Sequence, residues 1–237
     1  MKVGLFDSGI GGLTVLKTLL KKYPDNDYIY YGDTLNNPYG SKNKKELFEL
    51  SCKNIEFLID KGASVIVVAC GTVSSNCLDE LKMKYKIPIY DIISPIINYI
   101  NNSNYDNIGV IATSATINSH VFKNRINKRI YEIETSFFVP CIEENNYLCI
   151  DKLIDEYLSN YKNKIDYLIL GCTHYPILIP YLKKKIPSCE LLDMSYYLDI
   201  PFNDGNGNID IYFSKVNDKI ILNTKRILDM DVSVREK

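Results

Sequence analysis

Two cysteines occupy matching places in the sequence, each where a short apolar run ends. The first run covers residues 64–69 and is followed by Cys70, and the second covers 167–171 and is followed by Cys172. A thiol acts as a base when a cation, a helix N-terminus or hydrogen bonds lower its pKa from about 8.5. Both cysteines have a candidate source of activation, because Cys70 precedes a predicted helix and Cys172 lies close to His174.

Two acid/base groups on opposite faces of one carbon are what inversion of that carbon requires. One group removes the α-proton and the other delivers a proton to the opposite face. The paired cysteines therefore predict a racemase or epimerase that uses neither pyridoxal phosphate nor a metal. The alternative from a different class is a two-lobed binding protein for a small dicarboxylate, which would need the cleft but not both thiols.

The elements that position these cysteines follow from the alternation of short apolar runs with longer amphipathic stretches, which predicts an α/β fold with a mainly parallel sheet. Strands are predicted at 3–6, 28–31, 64–69, 87–89, 108–111, 136–140, 167–170 and 191–192. Helices are predicted at 12–22, 44–61, 74–85, 92–101, 151–161 and 177–185. Ligands of such folds bind beyond the carboxyl ends of the strands, so both thiols belong at a binding edge.

The order of elements repeats along the chain. Residues 3–8 and 108–113 are both strands that end in a small hydroxyl residue, and each is followed at a similar distance by a cysteine-bearing strand. We predict two pseudo-symmetric three-layer lobes, each with a mainly parallel sheet flanked by helices, and an active site in the cleft between them. The first lobe would comprise residues 1–97 with about 206–237, and the second residues 98–205.

Composition narrows the function classes. The chain has 237 residues, with 28 Lys plus Arg against 29 Asp plus Glu and a net charge of −1, which offers no attraction to nucleic acid or an anionic membrane. The apolar runs are much shorter than the ~20 residues that a transmembrane helix needs. The seven cysteines include no C-x-x-C pair, and the first residues lack a signal-peptide pattern. We expect a cytoplasmic protein with reduced thiols.

Beyond these patterns, six ordered motifs resemble the aspartate/glutamate racemase family, and within it the cofactor-independent glutamate racemases. The motifs lie at 6–15, 31–34, 37–40, at Ala69-Cys70 with Thr72, at 138–140 with Glu143-Glu144, and at 171–176, and the segment 209–228 is similar to the closing strand and helix of that family. The resemblance implies interconversion of L- and D-glutamate, supply of D-glutamate for peptidoglycan, a small-molecule substrate and no cofactor. It also allows a homodimer.

The resemblance implies roles for five acid/base residues. Cys70 matches the thiol that abstracts the α-proton of D-glutamate, and Cys172 matches the thiol that acts on L-glutamate. Asp7 matches the carboxylate beside the first thiol, which also meets the substrate ammonium. Glu143 and His174 match the pair that assists the second thiol.

The substrate-binding residues are implied in the same way. Ser8, Thr72 and Thr173 match residues that bind the amino and α-carboxylate groups of the substrate. The loop at 38–40 matches the loop that holds its side-chain carboxylate. Two threonines lie in the corresponding loop of the second lobe. The full expected substrate-binding set is Asp7, Ser8, Pro38, Tyr39, Gly40, Gly71, Thr72, Thr113, Thr116, Thr173 and His174.

One position departs from the family pattern. The family has Asn directly after the first cysteine, where this chain has Gly71. Losing a hydrogen bond to a charged substrate group costs about 1.5–3 kcal/mol unless another group replaces it. Ser74 and Ser75 are the candidates for that replacement. The departure leaves racemisation of aspartate or another acidic amino acid as an alternative.

Three residue patterns also have other interpretations. Asp7 could cap the helix that follows it. The glycine-rich turn at 9–12 could bind a phosphate, although it lacks the spacing of G-x-G-x-x-G. Cys172 and His174 could hold a metal, but a C-x-H pair without further ligands is a weak zinc signal, and we predict no metal site.

Overall fold

The computed structural model describes all residues, 1–237, and contains ten strands and eleven α-helices. Most strands are followed by a helix, as parallel sheets require. The strands are β1 (Lys2–Asp7), β2 (Asp27–Gly32), β3 (Val65–Val68), β4 (Ile89–Asp91), β5 (Ile108–Ala112), β6 (Ile130–Glu134), β7 (Tyr167–Leu170), β8 (Glu190–Asp193), β9 (Ile209–Phe213) and β10 (Val234–Glu236).

The helices flank two separate sheets. They are α1 (Leu13–Lys22), α2 (Lys44–Asp60), α3 (Gly71–Asn76), α4 (Leu78–Lys84), α5 (Ile93–Asn101), α6 (Ser114–Asn118), α7 (Val121–Arg125), α8 (Phe138–Glu143), α9 (Tyr147–Leu158), α10 (Ile179–Lys185) and α11 (Asp218–Leu228). One sheet has six strands in the order β10-β9-β2-β1-β3-β4, and the other has four in the order β6-β5-β7-β8. All pairings are parallel. The predicted α/β class with two lobes is confirmed.

The strands at the centre of each sheet are buried on both faces. β3, which lies between β1 and β4, is Val-Ile-Val-Val with every residue buried, which is the continuous apolar run expected of a parallel strand with neighbours on both sides. α5 places Ile93, Ile96, Ile97 and Ile100 on one buried face, and these residues pack in a cluster that includes strand residues of both sheets. This shared core fixes the two sheets relative to each other.

The C-terminal segment returns to the first sheet, where β9 pairs with β2 and α11 packs against α1. This strand and helix lie where the sequence predicts them, within 209–228. The pairing supports our proposed division into residues 1–97 with about 206–237 and residues 98–205.

Two predicted elements are wrong. Residues 136–140, predicted as a strand, lead into helix α8, and the edge strand of the second sheet is instead β6, which was not among the predicted strands. The apolar run before Pro140 is too short to separate strand from helix by periodicity, and proline cannot donate to a strand ladder. The helix predicted at 74–85 is broken at Cys77 into α3 and α4.

The expectation that all seven cysteines are reduced also differs from the structure. Cys141 on α8 and Cys149 on α9 form a disulfide with their Cα atoms 6.1 Å apart. The turn between the two helices brings these residues together, which sequence spacing alone does not reveal. The other five cysteines are free and buried. None of the helices combines the length and apolar character needed to cross a membrane.

Candidate active site

A cavity of about 350 Å³ lies where the carboxyl ends of strands from both sheets face each other. The first lobe contributes residues that follow β1 and β3, and the second contributes residues that follow β5 and β7. Of the expected site residues, the cavity is lined by Ser8, Pro38, Tyr39, Gly40, Cys70, Gly71, Thr72, Thr113, Glu143, Cys172, Thr173 and His174. Asp7 and Thr116 lie behind this lining.

Cys70 occupies the first-lobe side of the cavity, between the end of β3 and the start of α3. Its Sγ lies 3.9 Å from Ser8 Oγ, and its side chain is almost fully buried. Burial, reinforced by the negative charge of Asp7, raises the pKa of the Cys70 thiol to about 12. At neutral pH this thiol therefore carries its proton and can act as an acid.

Asp7, at the end of β1, is completely buried beside Cys70. Its carboxylate accepts hydrogen bonds from the Gly9 main-chain N–H at 2.9 Å and from Thr173 Oγ1 of the other lobe at 3.1 Å. Burial raises the pKa of Asp7 above its usual range, although the nearby His174 and these hydrogen bonds act in the opposite direction. No side chain caps the N-terminus of α1, so Asp7 does not act as its cap.

Cys172 occupies the second-lobe side and begins a chain of three acid/base groups. Its Sγ lies 3.7 Å from His174 Nδ1, and His174 Nε2 lies 3.0 Å from Glu143 Oε1. Burial by itself disfavours the charged imidazole, but Cys172 and Glu143 outweigh it and raise the pKa of His174 well above its ordinary value. Burial acts to raise the pKa of Glu143, but its hydrogen bond to His174 and the charges around it lower it. These shifts favour an imidazolium and a carboxylate for the pair.

The hydroxyl residues form a chain between the lobes. Thr72 Oγ1 lies 3.1 Å from Thr113 Oγ1, which lies 3.2 Å from Thr116 Oγ1. Thr116 is fully buried and supports Thr113 from behind. Tyr39 faces the cavity, but its hydroxyl donates to Asp33 Oδ2 at 2.6 Å inside the lobe, so a contact of Tyr39 with a carboxylate has to come from its main chain.

The structure gives a physical reason for glycine at position 71. A Cβ atom on Gly71 would lie 2.8 Å from the main-chain oxygen of Gly171, directly before the second cysteine. Ser74 and Ser75 do not replace the family's Asn, because Ser74 donates to the Val68 carbonyl and Ser75 to the Thr72 carbonyl, and neither lines the cavity. Gly71 thus allows the two cysteine-bearing segments to approach closely.

We expect Gly71→Ala to reduce kcat/KM for racemisation about tenfold, since misplacing a catalytic group by ~1 Å costs on the order of 10²-fold and the new methyl group requires a smaller shift. The free energy of unfolding should change little, because the cost of moving the Gly171 main chain opposes the gain of about 1 kcal/mol that alanine brings to a helix relative to glycine. Steady-state kinetics and urea denaturation measure both. Ser75→Ala on the same helix is the control, and an unchanged kcat/KM in Gly71→Ala would contradict the close-approach argument.

Several residues of the lining have no role predicted from the sequence. They are Asn37, Ser41, Ser114, Ser136, Phe137, Val139, Pro140 and Gly171. Asn37 is notable because its Nδ2 donates to Glu143 Oε1 at 3.3 Å across the cleft. Its position directly before Pro38, in the loop after β2, was the sequence feature that could have indicated its place in the site.

Two parallel α/β lobes that each present a cysteine to one shared cavity define a two-lobed racemase, an enzyme of the isomerase class. A sequence profile of the Asp/Glu/hydantoin racemase family matches residues 40–195. The chain belongs to this family.

Individual relatives extend the match over the whole chain. The sequence is 36% identical to the glutamate racemase of Aquifex pyrophilus, covering 99% of this chain and 97% of that protein. It is 38% identical to the glutamate racemase of a Hydrogenobaculum species, covering 92% and 89%. The crystal structure of the Francisella tularensis glutamate racemase in complex with D-glutamate superposes with a TM-score of 0.86 at 32% identity, covering 99% and 96%.

Proposed function

We propose that this chain is a glutamate racemase that interconverts L- and D-glutamate by proton transfer at Cα between Cys70 and Cys172. The observation that carries the proposal is the placement of one thiol from each lobe on the same cavity of about 350 Å³. A cavity of that size accommodates a small amino acid. The similarity to glutamate racemases over nearly the full chain supports glutamate as the substrate.

The groups beside the two thiols suit the reaction from L-glutamate. A protonated imidazole beside a cysteine is an arrangement that stabilises a thiolate, and His174 takes this place beside Cys172. In our proposal the Cys172 thiolate removes the α-proton, and the Cys70 thiol, which holds its proton, delivers it to the opposite face. The reverse reaction starts from the opposite protonation states of the two thiols.

Neutral donors would bind the substrate carboxylates, because no Lys or Arg side chain lines the cavity. The hydroxyls of Ser8, Thr72, Thr113 and Thr173 face it from both lobes. Asp7, directly behind Ser8, supplies negative charge on the side where we place the substrate ammonium. A substrate bound between hydroxyls of both lobes would also be shielded from water, as a carbanionic intermediate requires.

The test is incubation of the purified protein with L-glutamate in D₂O, followed by NMR of the α-proton and by optical rotation. We expect deuterium to enter Cα while the rotation decays to zero. Parallel reactions with L-aspartate give its kcat/KM for comparison with that of L-glutamate. A higher value for aspartate would identify aspartate, rather than glutamate, as the substrate. Tight binding of glutamate without exchange would instead indicate a dicarboxylate-binding protein and refute the proposal.

The cellular role extends the proposal. We infer that the product D-glutamate serves peptidoglycan synthesis and that the protein works in the cytoplasm, both from its similarity to glutamate racemases. We also propose a homodimer, which light scattering of the purified protein would measure directly. A monomeric mass across the working concentration range would contradict the dimer without affecting the proposed reaction.

A further inference from the structure

The side chain of Asn37 reaches from the first lobe to the acid/base chain of the second. It lines the cavity, and its Nδ2 donates to Glu143 Oε1 at 3.3 Å. The same carboxylate oxygen lies 3.0 Å from His174 Nε2. One oxygen therefore receives an amide from one lobe and an imidazole from the other.

The loop that carries Asn37 is fixed from inside the first lobe. Asp33 accepts two hydrogen bonds from Asn36 Nδ2, each of 3.0 Å, and one from the Tyr39 hydroxyl at 2.6 Å. Asn54 of α2 donates to the same hydroxyl at 3.1 Å. These contacts on both sides of Asn37 hold its main chain, so its amide is presented to the cavity by a rigid support.

Glu143 depends on such a partner because it is the last residue of α8 and its side chain is 26% exposed. The positive charge of Lys219 on α11 also acts on Glu143, and Lys219 pairs with the neighbouring Glu144 at 2.6 Å. Without Asn37, the carboxylate loses the second contact that defines its rotamer, so it can turn away from His174.

We propose that Asn37 is a positioning residue whose amide holds Glu143 Oε1 against His174 Nε2, so that the first lobe completes the acid/base chain behind Cys172. This inference rests on the proposed two-thiol reaction. It assigns the support of this acid/base chain to both lobes rather than to the second alone.

The groups that set the charge of His174 are few and defined. Cys172 and Glu143 contact it directly, and the carboxylate of Asp7 acts on it from the first lobe. Lys219 acts on Glu143 but does not contact the imidazole. If Asn37 holds Glu143 in place, its loss lowers the pKa of His174, because the carboxylate moves away from the imidazole towards solvent and Lys219.

The test uses Asn37→Leu, which keeps the shape of the side chain and removes the amide, with Asn37→Ala as a second variant. The chain has two histidines, so imidazole NMR titration gives two curves, and His120→Gln, which removes the half-exposed histidine, assigns them. We expect the pKa of His174 to fall by roughly half to one unit and kcat/KM to fall about 5- to 10-fold, as for a lost hydrogen bond to a charged group.

Three further variants separate positioning from a general structural effect. Asn37→Gln keeps an amide donor and should recover most of the titration shift and rate, whereas Leu35→Ala in the same exposed loop should change neither. In Glu143→Ala, which leaves no acceptor for the Asn37 amide, adding Asn37→Leu should cause no further loss. An unchanged His174 titration in Asn37→Leu, or losses that multiply in the double variant, would overturn the inference.

The two proposals fail separately. The titration is recorded without substrate, so it tests the contact between Asn37 and Glu143 whether or not glutamate is racemised. If Asn37→Leu shows the expected shift of the His174 pKa but the wild-type protein exchanges no α-proton, the proposed function alone is refuted. A protein that racemises glutamate but titrates identically in Asn37→Leu would refute the role of Asn37 alone.

Discussion

Replacing either Cys70 or Cys172 with serine is expected to reduce racemisation of glutamate by about 10³-fold or more, within the range that positioned acid/base groups contribute. A serine hydroxyl is a far weaker acid than a thiol, so it neither holds the negative charge needed to remove the α-proton nor returns a proton readily. Since inversion needs a group on each face, either single variant is sufficient to block it. Chiral chromatography of the product measures the loss.

The two variants should differ in the half-reaction that they retain. In Cys172→Ser, Cys70 still faces one side of the cavity, and we expect deuterium exchange into D-glutamate without inversion. In Cys70→Ser, exchange should persist into L-glutamate. Exchange into the opposite enantiomer in each case would show that the faces are assigned the wrong way round.

Cys189→Ser is the matched control for these variants. Cys189 is buried outside the cavity, and its Sγ contacts the Glu190 carbonyl at 3.8 Å, a bond that a serine hydroxyl can also make. Its rate of racemisation should equal that of the wild type. Full activity in either Cys70→Ser or Cys172→Ser would contradict the two-base mechanism.

Replacing Glu143 with glutamine is expected to lower kcat/KM by about 10²-fold, towards the lower end of the range for acid/base assistance. Glu143 raises the pKa of His174, so its neutralisation lowers that pKa and the imidazolium is lost at a lower pH. The alkaline limb of the kcat/KM profile should therefore move to lower pH. Because the two enantiomers have equal free energies, the two directions must lose the same factor.

Glu144→Gln provides a control that differs by one position in the chain. The Glu144 side chain points outwards and pairs with Lys219 on the surface, where an ion pair contributes little. We expect its pH profile and rate to match the wild type. An alkaline limb that does not move in Glu143→Gln would show that His174 is charged for another reason.

Local sequence patterns determined the fold class and the placement of both thiols. Runs such as Val65–Val68 are buried on both faces of a parallel sheet, so their burial and their ends can be read directly from apolar residues. A residue that follows such a strand lies at the binding edge whatever the details of packing. This is why Cys70, Cys172 and Thr113 line the cavity as expected.

Local sequence patterns are ambiguous in short apolar runs, at sheet edges and in turns between helices. The segment before Pro140 contains too few residues to show a helical period, and it became α8, which carries Glu143. The half-exposed edge strand Ile130–Glu134 was missed. The pairing of Cys141 with Cys149 depends on the turn between two helices, and the prediction of helices gave no such turn.

Contacts between the lobes were decided by the tertiary structure. The bond of Thr173 to Asp7, the bond of Asn37 to Glu143 and the approach of Gly71 to Gly171 each join residues more than 90 positions apart, and none leaves a periodic trace in the chain. The sequence by itself determined two thiols at two strand ends. Only packing of one lobe against the other decided that they share a cavity, because that distance depends on the whole interface rather than on any segment.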